Sequence, residues 1–101
     1  MILYNVTVKI NKSLEEKWLH WMRTVHIPDV LKTGHFVDHH ICKILHDDGD
    51  GGVSYAFQYF CKDMDTFQSY QVNHAKVLQQ EHNDRYKDQY VSFRTLMEVI
   101  E

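Results

Sequence analysis

The 101-residue sequence has few of the features that mark specialised classes of protein. Cys42 and Cys61 are its only two cysteines and form no C-x-x-C motif, which favours free thiols in a reducing compartment over a disulfide scaffold. No stretch approaches 18 consecutive apolar residues, so neither membrane spanning nor export is indicated. Lysine and arginine form no run, and the formal net charge is −3. The sequence therefore offers no basic surface that would bind the phosphate backbone of a nucleic acid. We therefore predict a cytoplasmic protein with no nucleic-acid or membrane partner.

The composition is also far from that of a disordered or fibrous chain, because 44% of the residues are hydrophobic and 25% are charged. A chain of this length forms one domain with a modest core. At this size a second subunit often supplies extra buried surface. We predict a single domain over residues 1–101 that forms a homodimer.

Hydrophobic patterning predicts the elements of the first third of the chain. Residues 2–10 alternate between a strongly apolar and a mixed set, which is typical of a strand with one buried face. Ser13 and Glu16 have capping-box spacing, so we expect a helix from residue 14 onwards. Because Pro28 cannot continue an ordinary helical ladder, we predict a break near residue 27 and a short extra turn that ends at Gly34.

The remaining elements alternate in the same way. Residues 35–46 and 53–61 are predicted strands of a hairpin, joined by the turn sequence DDGDGG. A long helix is predicted over residues 63–88 and a last strand over residues 90–101. The order strand, helix, strand, strand, helix, strand predicts an α+β, ferredoxin-like βαββαβ sandwich, in which two helices cover one face of a four-stranded antiparallel sheet.

The second face of that sheet is predicted to mix apolar and polar side chains. Such a face is too apolar to be fully exposed to water and too polar to form a buried core. We therefore predict that it forms a partly hydrated interface with a second copy of the chain. The side chains assigned to this face include Leu3, Asn5, Thr7, Gln58, Phe60, Arg94, Leu96 and Ile100.

Five stretches, LYNVTVKI, WLHWM with VHIPDVL, SYAFQYFC, FQSYQVNHAKVLQQEH and FRTLMEVIE, resemble a small bacterial family catalogued only as a domain of unknown function. The resemblance covers essentially the whole chain, and HAKVLQQEH and HIPDV are its most specific segments. It implies a dimeric α+β barrel, in which two ferredoxin-like sheets face each other. It implies no activity, because the family has no established one. The wider superfamily includes cofactor-independent monooxygenases, haem-degrading enzymes, small isomerases and effector-binding domains, so the fold does not select a function.

Polar side chains on the predicted inner stripe of the second helix are the least ordinary feature of the sequence. On a regular helical wheel His74 and His82 fall beside Phe67 and Leu78, and Gln71, Glu81 and Arg85 lie on the same stripe. Polar groups on an inward stripe must be hydrogen-bonded or line a cavity. Either the end of the helix overhangs the sheet, or His74 has a role in a pocket.

The resemblance to haem-degrading and tailoring oxygenases implies a site built from an Asn of the first strand, a His of the second helix and a Trp near the third strand. Asn5 and His74 match two of these positions, but no Trp stands between Val53 and Met64. Asn5 also has the parity opposite to the strongly apolar residues of its strand. If the helices cover the apolar parity, Asn5 and His74 lie on opposite sides of the sheet.

Aromatic side chains of the first helix and the hairpin are either plain core or the walls of a cleft for a flat organic ligand. The residues assigned to a ligand pocket are Trp18, Tyr59, Tyr70, Gln71, His82 and Arg85. We expect binding of a small aromatic or hydrophobic metabolite, without a cofactor or metal. The alternative is a cofactor-independent monooxygenase or isomerase, or a haem-binding enzyme, in which His74 and Asn5 are the catalytic residues.

The segment HIPDVLKTGHFVDHH (residues 26–40) contains four histidines, which raises the question of a metal site. His35 and His39 are four residues apart on a predicted strand, about 13 Å, which is too far for both to bind one ion unaided. His39 and His40 point to opposite faces. We therefore expect ordinary strand surface here, and a local contact between His26 and Asp29 that either ties down the helix end or orients the imidazole.

Overall fold

Four antiparallel strands form a single sheet in a computed structural model that describes residues 1–101. The strands are β1 (Ile2–Asn11), β2 (Phe36–Lys43), β3 (Gly52–Cys61) and β4 (Tyr90–Glu98). Their order is β2-β3-β1-β4, so the two longest strands lie in the centre. This arrangement confirms the predicted α+β ferredoxin-like fold. The prediction succeeded because alternation of apolar residues identifies strands reliably when one face of the sheet is buried.

The first helix covers residues 15–32 without the break predicted near residue 27. It consists of Glu15–Trp21, a π-helical segment Met22–His26 and Ile27–Lys32. In the wider turn the N–H of Ile27 donates to the carbonyl of Met22, five residues earlier. Pro28 then lies in the first turn of the next segment, where its missing N–H is tolerated. The predicted break is therefore wrong: the chain passes the proline by widening one turn.

The second helix covers residues 64–86 and contains a similar wide turn. Its parts are Met64–Tyr70, the π-helical Gln71–Ala75 and Lys76–Tyr86. Asp63 caps its start by accepting a hydrogen bond from the N–H of Thr66 at 2.8 Å. Asp88, with a φ of 64°, turns the chain towards β4. Neither helix has the length and apolar character that crossing a membrane requires.

The two helices pack on the face of the sheet that carries Tyr4, Val8 and Ile10, and they bury a core around Trp18 and Phe57. No helix covers the opposite face. In the β1–β4 register Arg94 pairs with Val6 and Leu96 with Tyr4, so both lie on the helix side.

The prediction that Arg94 and Leu96 belong to the uncovered face is therefore wrong. The parity of an edge strand cannot be read from a sequence in which both parities are partly apolar. The strand residues of the uncovered face include Leu3, Asn5, Thr7, Gln58, Phe60, Phe93, Thr95 and Met97, and Ile100 lies beyond the end of β4.

Candidate functional site

A cavity of about 40 Å³ lies between the helices and the sheet. It has room for a few water molecules or for a small part of an organic ligand. Ten of its fifteen lining residues are hydrophobic, so its interior suits an apolar or aromatic group. The hydrogen-bonding side chains that line it are Tyr4, His26, Tyr59, Tyr70, Gln79, His82, Tyr90, Ser92 and Arg94.

The cavity opens between the second helix and the edge strand β4. Gln79, Tyr90, Ser92 and Arg94 line both the cavity and a groove on the adjoining surface. The groove continues outward along the helix to Lys76, Gln80 and Asn83. A largely hydrophobic interior and a polar mouth are therefore continuous with each other.

His82 stands in the wall of the cavity with a fixed hydrogen bond. Its Nε2 accepts from the indole Nε1 of Trp18 at 3.0 Å. Because an indole N–H only donates, neutral His82 must carry its own proton on Nδ1. The ring of Tyr90 meets the imidazole edge-on, with the ring centroids 4.3 Å apart. Burial, followed by the neighbouring His26 and Arg94, lowers the pKa of His82 to about 4.

His26, the last residue of the first π-helical segment, lies beside His82 with their ring centroids 5.8 Å apart. Burial lowers its pKa to about 4; Asp29 opposes this shift and Arg94 adds to it. Its Nδ1 is buried and has no hydrogen-bond partner in the protein. The local contact predicted with Asp29 is thus an electrostatic influence, and no hydrogen bond orients the imidazole.

Arg94 is the only charged side chain that lines the cavity, since both histidines are neutral near pH 7. Its Nε donates to the hydroxyl oxygen of Tyr4 at 3.1 Å. No carboxylate forms an ion pair with it. Burial raises the pKa of Tyr4, and Arg94 partly opposes that rise, so the tyrosine is a neutral hydroxyl beside a free cation.

The structure brings together three of the residues predicted for a ligand pocket, namely Tyr59, Tyr70 and His82. Trp18 is fully buried and supports His82 from behind, without lining the cavity. Gln71 is exposed. Arg85 is exposed as well, and its guanidinium lies 5.3 Å from the ring centroid of Trp21.

The two residues predicted as catalytic do not meet. Asn5 is buried on the uncovered face, where its amide donates to Thr7 at 2.9 Å. His74 lies outside the cavity, with its ring 5.1 Å from that of His35. The wide turn at Gln71–Ala75 explains the misplacement, because it puts Ala75, only 2% exposed, in the inward position that a regular wheel assigns to His74.

Several residues of the cavity were missed by the sequence analysis. Tyr4 and Arg94, which are in contact, are 90 residues apart in the chain. The alternating polar residues of the last strand could have indicated this site only if the pairing register of β1 and β4 had been known. The hydrogen-bonding residues of the cavity that the sequence did not predict for any site are Tyr4, Gln79, Tyr90, Ser92 and Arg94.

The histidines of residues 26–40 do not converge. His26 lines the cavity, whereas His35 lies 3.2 Å from the hydroxyl of Ser69 at the surface. His40 packs against Phe60 on the uncovered face. No group of three or more metal-binding side chains comes together anywhere in the chain.

All but the last residue of the chain matches one family model. Residues 1–100 match the family described as a domain of unknown function, DUF4286. The chain therefore belongs to the DUF4286 family, within the class of ferredoxin-like α+β proteins that its fold defines. No curated protein matches the sequence closely enough to count as a relative.

Solved structures share the fold at low sequence identity. A dimeric ferredoxin-like protein from an uncultured marine organism superposes with a TM-score of 0.72 at 11% identity, covering 100% of this chain and 96% of that one. An antibiotic biosynthesis monooxygenase from Nitrosomonas europaea gives 0.70 at 7% identity, with full coverage of both chains. A variant of SnoaB, a cofactor-independent oxygenase from Streptomyces nogalater, gives 0.59 at 13%, covering 99% and 94%. At such identities the likeness shows the fold alone.

Proposed function

We propose that this domain binds a small organic ligand whose aromatic or hydrophobic body reaches from the groove beside β4 into the cavity between the helices and the sheet. The observation that carries the proposal is that His26 lines the cavity and that its buried Nδ1 has no hydrogen-bond partner in the protein. A buried polar atom that the protein itself does not satisfy costs free energy unless another molecule bonds to it. A ligand with a hydrogen-bonding group would satisfy it.

Binding is favoured over catalysis by the properties of the same imidazoles. An efficient general base has a pKa near the working pH, whereas the pKa values of His26 and His82 are lowered to about 4. These imidazoles are weak proton acceptors and good neutral hydrogen-bonding groups. The alternative, a monooxygenase or isomerase that uses His74, has no support from the cavity, because His74 does not line it. A haem group is far larger than the cavity of about 40 Å³.

The proposal also includes a homodimer formed through the uncovered face of the sheet. Phe93 and Met97 expose 63% and 38% of their surface there, beside the buried pair Asn5 and Thr7. Large exposed apolar side chains on a sheet face are typical of an interaction surface. A structural neighbour that covers the whole chain is itself described as dimeric, and a self-complementary face suits two-fold pairing.

We further propose that the protein works in the cytoplasm. Both cysteines are free, Cys61 in the core and Cys42 at the surface, which suits a reducing compartment.

The ligand proposal is tested by titrating the protein with benzyl alcohol, a neutral one-ring probe, while recording ¹H–¹⁵N NMR spectra. Chemical-shift changes are expected around the cavity, at residues such as Val30, Leu78 and Tyr90. Ser92→Phe should abolish them, because Ser92 stands at the mouth and the larger ring closes it. The matched control Val72→Phe adds the same ring at a position that is 82% exposed and should leave the titration unchanged. Shifts scattered over the surface, or equal in both variants, would contradict the proposal.

A further inference from the structure

The mouth of the cavity carries positive charge and no negative charge. Arg94 and Lys76 are the only charged residues among those that line the cavity and its groove. Neither forms an ion pair with a carboxylate. The lining residues thus have an excess of positive charge in a chain whose formal net charge is −3. The carboxylates of Glu81 and Asp84 share a surface pocket with Lys76 and Gln80 but line neither the cavity nor its groove.

The donors at the mouth are free to bind an acceptor. Within the guanidinium of Arg94, only the Nε–H donates a hydrogen bond in the protein, and its acceptor is the hydroxyl oxygen of Tyr4. The terminal N–H groups of Arg94 therefore have no acceptor in the protein. The contact with Tyr4 anchors the base of the side chain and thereby limits its conformations. A guanidinium with unused N–H groups matches a carboxylate, which it binds through parallel, charge-assisted hydrogen bonds.

The interior, by contrast, has nothing to neutralise an anion. Apart from Arg94, its polar side chains are neutral tyrosines, histidines, an amide and a hydroxyl. A carboxylate placed deep inside would be desolvated without a countercharge, which is expensive. An anionic group is therefore favoured at the mouth and disfavoured inside.

On these grounds we infer, building on the proposed ligand site, that the ligand class is a small carboxylic acid with an aromatic or compact apolar body. The edge of its ring or hydrocarbon part enters the cavity between the helices and the sheet, and the rest lies in the adjoining groove lined by Gln79, Tyr90 and Ser92. Its carboxylate lies in the mouth on the guanidinium of Arg94, with the ammonium of Lys76 further along the groove.

The test compares benzoate with benzyl alcohol by isothermal titration calorimetry and NMR, in low-salt buffer at pH 7. The two probes share a ring and differ in charge. Benzoate is expected to bind the wild-type protein about tenfold more tightly than benzyl alcohol. Arg94→Gln should remove this preference, weakening benzoate about tenfold while changing the affinity for benzyl alcohol less than about twofold. Lys76→Gln should weaken benzoate by a smaller factor, because Lys76 is further from the cavity.

The control Arg23→Gln removes the same charge from an exposed site on the first helix, outside the cavity and its groove. It should leave both affinities unchanged, and circular dichroism verifies that all variants are folded. If benzyl alcohol binds in the cavity and benzoate binds no better, or if Arg94→Gln keeps the preference for benzoate, the assignment of an acid is overturned and the ligand site stands. If neither probe produces shifts at the cavity, the ligand site fails and the assignment of an acid fails with it.

Discussion

The two faces of the sheet use the same strands for opposite purposes. On the helix side, β1 contributes Tyr4, Val8 and Ile10 to a core that excludes water almost completely. On the other side the same strand presents Asn5 and Thr7, where the amide of Asn5 donates a hydrogen bond to the hydroxyl of Thr7 at 2.9 Å. One face is stabilised by packing and holds a cavity. The other keeps polar groups paired beside exposed apolar side chains, which is the composition of an interface rather than of a core.

Histidines show the same contrast. His26 and His82 lie on the helix side, where burial holds them neutral, whereas His40 lies on the uncovered face and is partly exposed to solvent. Position relative to the helices therefore decides whether an imidazole is buried as a neutral hydrogen-bonding group or is in contact with water. The concentration of histidine in the sequence does not decide it.

The largest test of this contrast is Trp18→Ala on the helix side. Trp18 is 0% exposed, and its removal leaves a cavity as well as an unpaired Nε2 on His82. We expect the free energy of unfolding to fall by about 3–5 kcal/mol in urea titrations monitored by circular dichroism.

Trp18→Phe reduces the packing contribution, because it keeps a six-membered aromatic ring and removes the indole N–H together with part of the fused ring. It should cost roughly 1–2 kcal/mol. If Trp18→Ala stays within about 1 kcal/mol of the wild type, the helix side is not the packed face described above.

The helix side should also make the protein sensitive to mild acid. An ordinary histidine has a pKa of 6.5, and His26 and His82 are lowered to about 4 when folded. Between these values the unfolded chain binds more protons than the folded one, so stability is fully present above pH 6.5 and is lost as the pH falls towards 4. With 1.36 kcal/mol for each pKa unit, the loss is on the order of 3 kcal/mol from each histidine.

His82→Gln should remove roughly half of this acid sensitivity. A glutamine oxygen still accepts the hydrogen bond of Trp18 but does not bind a proton in this range. Urea unfolding at pH 7, 6, 5 and 4 gives the comparison, and the exposed His20→Gln should follow the wild-type curve. Parallel curves for His82→Gln and the wild type would show that the buried imidazoles do not govern acid stability.

The fold could be predicted from the sequence because its determinants are local. Alternation in β1, the turn sequence before β3 and the apolar stripe of the second helix each act over a few residues and agree with one topology. The uniform helical wheel failed at His74, since a π-helical turn changes the rotation per residue and no sequence pattern marks it.

The cavity was only partly predictable because it is assembled from distant segments. His82 and Tyr70 lie on a helix whose apolar stripe is visible in the sequence. Arg94 reaches Tyr4 only through the β1–β4 register, which depends on how two strands pair. A sequence with one ambiguous edge strand therefore identifies the walls contributed by the helices and misses the mouth contributed by that strand.

The uncovered face gives the smallest effect on the stability of the subunit and a large effect on assembly. Phe93→Lys changes a side chain that is 63% exposed in the single chain, so its intrinsic cost should be within about 0.5 kcal/mol. In a dimer built on this face it would place like charges in an apolar interface. Light scattering at micromolar concentration should give about twice the 12.1 kDa chain mass for the wild type and a single chain mass for Phe93→Lys.

The control Val77→Lys adds the same charge to a 62% exposed position on the second helix and should leave the dimer intact. A wild-type protein with a single chain mass would leave the apolar side chains of the uncovered face without a partner copy. A dimer that survives Phe93→Lys and dissociates with Val77→Lys would move the interface to the helices. Either result would contradict the proposed difference between the two faces, because the uncovered face of the sheet would then not bind a second subunit.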